Sequence, residues 1–273
     1  MRYRLLYWLF ALAVTLVVAL LYLGAAEWPF FAKLEGQSLT WRFQLRGPVE
    51  PGPETLLVAI DDASLAGLGR WPLPRHVLAE AVDKLHAAGA KVLVLDLLLM
   101  GEEAAPPGTT DLAETVAAID RLLLPYAFDY GKGGSILNDR PAAALPEAVV
   151  RTAFPLVRIN SDAERGSAPQ PTGVLLPAGN LLTVARLAQA NVFLAADGEL
   201  HHGFPALLYG DAYYPSLAVE AVRLYRGLEP EEILLDLGHG LEIGDTVIPL
   251  DRQSRLAVNH YGPLEAFDRV SLL

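Results

Sequence analysis

Three kinds of hydrophobic pattern follow one another along the chain. The first is an unbroken apolar stretch, Leu5–Leu23, nineteen residues without a charge. That is close to the ~20 apolar residues a helix needs to cross a bilayer. The second consists of short apolar runs without alternation, Leu56–Ile60 and Val92–Leu95, the pattern of strands covered on both faces. Between them Pro74–Ala88 predicts an amphipathic helix with an apolar stripe of Leu78, Ala81, Leu85 and Ala88. Gly89 suits its C′ position. Entry into the second run only two residues later implies a right-handed crossover and parallel pairing of the two strands.

The third pattern is mixed. Asp111–Leu123 predicts a helix with Leu112, Val116, Ile119 and Leu123 on one face, and Leu122–Phe128 a third strand that Pro125 argues against. Residues 129–145 and 164–173 are rich in Gly, Pro, Ser and Asn and predict long loops. Leu181–Ala188 reads as helical, Asn191–Leu194 as extended, and Asp197-Gly198 as a hairpin turn. Pro205–Tyr209 is extended, and Pro215–Tyr225 is an amphipathic helix that Ser216 can cap. The tail alternates through Leu241, Ile243, Val247, Ile248, Leu256 and Val258, predicting short antiparallel strands. No internal repeat is evident. The fold class expected is α/β: an N-terminal transmembrane helix, then a mixed, largely parallel sheet with flanking helices and a C-terminal antiparallel portion.

Charge refines this picture. Arg2 and Arg4 precede the apolar stretch and Glu27 follows it, so the positive-inside bias places the N-terminus in the cytoplasm and the rest outside. Gly24-Ala25-Ala26 resembles a signal-cleavage site, but the apolar stretch exceeds the usual ~7–15 residues of a signal peptide, favouring an uncleaved anchor. The expected organisation is a stub and span over 1–24, a juxtamembrane segment and linker over 25–53, and an extracytoplasmic domain over 54–273. Of 21 basic and 32 acidic residues, two basic ones precede residue 24, leaving 19 against 32 and a net charge of −13 outside. Such a surface repels nucleic acid and anionic lipid. Cysteine is absent, which excludes disulfides and thiolate metal sites.

Motifs for catalysis are missing: no Gly-x-Ser-x-Gly elbow, no P-loop and no His-Glu-x-x-His. Gly67-Leu-Gly69 continues Arg-Trp-Pro and fails as a dinucleotide fingerprint. His201-His202 would point to opposite faces of a strand, so a shared metal is not expected. The candidate crevice lies where the two apolar runs end, at Asp61, Asp62 and Asp96, together with Ser64, Arg70, Trp71 and Arg75. The carboxylates could hold a divalent cation or raise one another's pKa. The plainer expectation is that one accepts backbone N–H bonds while another pairs with Arg70 or Arg75, since buried carboxylates need partners. Trp71 is either a plug at the sheet rim, the better default, or a stacking platform.

The run VAIDDASLAGLGRWPLPRHVLAEAVDKLHAAGAKVLVLD resembles the core of the second-type CHASE domain. So, in the same order, do NVFLAADGELHHGFPALL, YYPSLAVEAVRLYRG and RLAVNHYGPLEAFDRVSLL. The resemblance covers roughly residues 30–273. It implies an extracellular sensor of bacterial membrane receptors, usually placed after one transmembrane helix and before others, feeding adenylate cyclases, diguanylate cyclases, histidine kinases or serine/threonine kinases. Three departures stand out: Leu73 replaces a second aromatic, arginine is missing near His201-His202, and a final strand with its membrane helices is expected beyond residue 273. The leading reading is a membrane-tethered sensor that works as a homodimer with an unidentified small ligand, with no cofactor and no catalysis within this chain. The competing readings are a membrane-anchored metal-dependent enzyme using Asp61, Asp62 and Asp96, and a tethered scaffold that does not signal.

Overall fold

A computed structural model describes residues 2–25, 29–131, 144–160, 171–195 and 197–273; at the N-terminus side chains are described for 7–19 and from 33 onward. The expected loops over 129–145 and 164–173 lie largely outside the described residues. Two units divide the chain: Met1–Gly52 with Phe193–His202 and Val258–Phe267, and the rest.

In the first unit, α1 (Arg2–Ala25) and α2 (Pro29–Arg46) are helices. The expected span Leu5–Leu23 extends past the described side chains of α1 at both ends. Among the described residues no helix is long and apolar enough to cross a membrane. α2 ends where Gly47 turns to a φ of 77°, a conformation open to glycine. Arg46 then donates to Asn259 Oδ1 at 2.7 Å and to the His260 carbonyl, and Val49 N donates to Tyr261 O. These bonds fasten the end of α2 to the 258–267 segment.

The second unit departs from the expected crossover. β1 (Leu57–Ala59) is followed at once by α3 (Asp62–Leu68), capped by Asp61 and closed by Gly69 at φ 85°. α4 (Arg75–Ala87) leads to β2 (Leu93–Val94). β1 and β2 do not pair. β1 lies parallel to β12 (Arg269–Ser271), whereas β2 lies parallel to β3 (Leu122–Asp129). Two helices rather than one separate the strands, so the single-crossover geometry that makes neighbours of them is lost. Neither strand is covered on both faces: Leu57 is 39% and Val94 43% exposed. The buried face of α4 is Arg75, Leu78, Ala79 and Val82, one position round from the expected stripe.

α5 (Leu112–Ala118), capped by Asp111, is shorter than expected and gives way to β3, in which Leu122 to Tyr126 and Phe128 are buried. Pro125 is tolerated for a visible reason. β2 pairs Leu122 and Leu123 and antiparallel β5 (Gly173–Leu175) pairs 127–129, so no strand needs an N–H on that side at Pro125. On the other side β3 pairs parallel with β6 (Arg186–Gln189). The region expected to be a helix, Leu181–Ala188, therefore ends as a strand after the short α7 (Gly179–Leu182). Asn191–Leu194, expected to be extended, carries no regular element.

A second sheet joins β4 (Leu156–Arg158), which follows the short α6 (Glu147–Val150), to β9 (Ile233–Asp236), β10 (Gly240–Ile243) and β11 (Thr246–Pro249). The last three are antiparallel, β10 and β11 where the alternation predicts short strands, while β4 and β9 are parallel. A hairpin of β7 (Ala206–Tyr209) and β8 (Ala212–Pro215) precedes α8 (Leu217–Arg226). Ser216 caps α8 through Val219 N, and Gly227 closes it at φ 72°. Leu123, Ala188, Leu217 and Leu224 join this helix to β3 and β6, and Leu208, Tyr213, Leu235, Leu241 and Ile243 fill the core over the second sheet.

Candidate functional site

Asp61, at the end of β1, is held by a backbone N–H and two hydroxyls, not by arginine. Asp61 Oδ1 accepts from Ser64 N at 2.9 Å, from the buried Ser64 hydroxyl at 2.8 Å and from the Ser271 hydroxyl at 2.8 Å. The bond from Ser64 N, reinforced by the Ser271 and Ser64 hydroxyls, pulls its pKa down to about 2. This carboxylate caps α3 and ties β12 to β1. The expected ion pair of Asp61 or Asp62 with Arg75 does not form. Asp62 lies exposed in the first turn of α3, and Asp96 is exposed beyond β2.

Arg75 is instead a buried clamp, 6% exposed. Its Nη2 donates to the carbonyls of Leu99, Met100 and Gly101, and its backbone N–H reaches Glu103 Oε1 at 3.4 Å. Arg70 pairs with that same Glu103 oxygen at 3.5 Å across an exposed gap. Glu102 accepts from Gly179 N at 2.9 Å, and Ala178 N donates to Leu99 O. The 99–103 segment is thus fastened from three sides, and the arginines serve it rather than the acids. Trp71, expected at the sheet rim, is 58% exposed, while its neighbour Leu73 takes the buried place. Among the described residues no group of three His, Asp or Glu could hold a metal ion, so Asp61, Asp62 and Asp96 do not assemble as the metal reading requires.

Among the described residues, two cavities of ligand-like size stand out. One, about 280 Å³, lies wholly in the second unit beside β6 and α8. Its three arginines are all committed: Arg151 to Glu147, Arg186 to Asp120 at 2.6 Å, and buried Arg223 to Glu220 and the Leu228 carbonyl. The other, about 330 Å³, lies wholly in the first unit, between Thr40, Phe43 and Gln44 of α2, Glu199 and His201, and His260 to Pro263. Sequence reasoning passed over these residues because they come from three stretches far apart in the chain. The one readable signal was a histidine four residues after the aspartate of an Asp-Gly turn.

That turn forms, with Gly198 at φ 86°. It brings His201 Nε2 to Asp197 Oδ2 at 2.7 Å, with both side chains 6% exposed. The hydrogen bond from His201 holds the Asp197 carboxyl below the ordinary range, so the carboxylate accepts and the imidazole Nε2 donates. His260 Nε2 donates to Leu200 O at 2.6 Å and its ring meets Phe43 edge-on at 5.3 Å. A Cβ added to Gly36 of α2 would fall 2.2 Å from Asp197 Oδ2 and 2.8 Å from His201 Nε2. The buried pair therefore sits directly on the helix backbone.

A family model of the CHASE2 domain matches residues 12–273. The chain belongs to the CHASE2 family. CHASE2 domains are sensory domains of signalling receptors, and the match takes in both units, from α1 to β12. Comparison with curated proteins and with solved structures gives no significant match.

Proposed function

We propose that this CHASE2 chain is the extracytoplasmic input domain of a membrane-bound receptor, tethered by α1, which binds a small solute and passes its occupancy to a cytoplasmic cyclase or kinase. The family match over residues 12–273 carries this reading. The described part of α1 supports the tether. Residues 7–19 are all exposed and apolar except Thr15, whose hydroxyl returns to Ala11 O at 2.9 Å. A helix apolar all round and covered by none of the described residues suits lipid. Arg2 and Arg4 orient it with the N-terminus inside. A homodimer completes the proposal, since a tether helix transmits a change most simply by shifting against its counterpart in a second copy. A ligand drives such a shift only through different affinities for the two states.

Melting of the full chain in detergent, against a panel of small amines, carboxylic acids, sugars and amino acids, tests this reading. One chemical class is expected to raise the melting temperature selectively, because a ligand bound only to the folded state stabilises it. A flat response across the panel would contradict the sensor.

A further inference from the structure

The cavity beside α2 has an uneven chemical lining that points to one kind of ligand. Its one carboxylate is that of Glu199, set beside the two imidazoles of His201 and His260 and the uncharged Thr40 and Gln44 side chains. Glu199 is exposed and forms no ion pair among the described residues, its backbone N–H being used by Asp197 at 3.1 Å. His201 and His260 each direct Nε2 at an acceptor, Asp197 and Leu200 O, and in a neutral imidazole so committed the remaining Nδ1 is an acceptor. Arg46 does not line the cavity; its guanidinium is taken by Asn259 and the His260 carbonyl. Apolar surface comes from Phe43, Pro48 and Pro263. A volume of about 330 Å³ matches the small end of ligand pockets.

We propose that this cavity is the input site and takes a small amine, its ammonium held by Glu199 and the free imidazole nitrogens and its apolar body against Phe43 and Pro263. The assignment rests on the sensor reading and names its site and ligand class. It also gives the signal a short route. His201 faces the cavity while its Nε2 and Asp197 lie against the α2 backbone at Gly36. An ammonium engaging His201 displaces or tightens a pair that α2 already touches.

The test uses the full chain in detergent micelles and three probes with one body: phenethylamine, phenethyl alcohol and phenylacetate. Titration followed by protein NMR or calorimetry is expected to show saturable binding of the amine, weaker binding of the alcohol and weakest binding of the acid. Glu199→Gln is expected to weaken the amine about tenfold, the scale of a lost charge-assisted bond. Thr40→Trp, which fills the cavity from α2, is expected to abolish binding while leaving the circular dichroism spectrum unchanged. The site is overturned if the acid binds as well as the amine, if no probe saturates, or if neither variant changes the amine's affinity. Melting of Thr40→Trp against the solute panel separates the two claims: a solute-induced shift that survives this substitution keeps the sensor and rejects the cavity.

Discussion

Ser271 donates its hydroxyl to Asp61 Oδ1 at 2.8 Å, across 210 positions of sequence. The bond joins the end of β12 to the cap of α3 and fixes the register in which β12 lies along β1. Asp61 is thereby a structural carboxylate. Its folded pKa, about 2, lies below the ordinary 3.8. A depressed carboxyl contributes stability that is present in full above its unfolded pKa and is lost as pH falls through the folded one. Titration of the Asp61 carboxyl by NMR is expected to give a midpoint near 2 in the parent chain, and Ser271→Ala is expected to raise it towards 3.8. An unchanged midpoint in the variant would show that the hydroxyl bond is not made.

Gly36→Ala tests the contact between α2 and the His201–Asp197 pair. Alanine alone favours a helix by up to about 1 kcal/mol. Here the added methyl must displace a buried pair at 2.2 Å and 2.8 Å, and overpacking of this kind costs about 1–3 kcal/mol. A net loss of stability is expected in chemical denaturation, together with a changed His201 ring signal in NMR. A stabilised variant would mean that the pair does not lie on α2.

Arg75→Leu removes a buried donor from the carbonyls of Leu99, Met100 and Gly101. Unfolding free energy is expected to fall by about 2 kcal/mol or more, because buried acceptors left without partners keep their desolvation cost. Trp71→Ala provides the contrast. Its side chain is exposed, so a change within about 0.5 kcal/mol is expected. Reversal of this order would restore the rim-plug role for Trp71.

Much of the local structure was legible in the sequence. Ser216 and Gly227 bracket α8, Pro74 and Gly89 bracket α4, and the alternation of Leu241, Ile243, Val247 and Ile248 marks β10 and β11. What failed was long-range. Nothing near Leu57 says that its strand partner is Arg269, because parallel pairing leaves no turn between partners to read. Leu181–Ala188 is apolar without a clear period, and such runs do not separate helix from strand. At the candidate site the proximity of Arg75 to Asp61 in sequence suggested an ion pair, whereas three carbonyls in the 99–103 segment claimed the guanidinium. The cavity by α2 was invisible because Phe43, His201 and His260 meet only in the folded unit.

The absence of cysteine makes topology directly measurable. A single Gln253→Cys, in an exposed turn, is expected to react with a membrane-impermeant maleimide on spheroplasts expressing the full chain. Labelling only after lysis would place the domain inside and reverse the orientation argued from Arg2 and Arg4.

Hydrogen exchange of the full chain in lipid nanodiscs, with and without saturating phenethylamine, tests the central claim most directly. A ligand-gated CHASE2 sensor that reads its cavity through α2 is expected to show slowed exchange in 36–46 and 197–201, and the change is expected to vanish in Thr40→Trp. Exchange in those segments that does not respond to the amine would contradict the account.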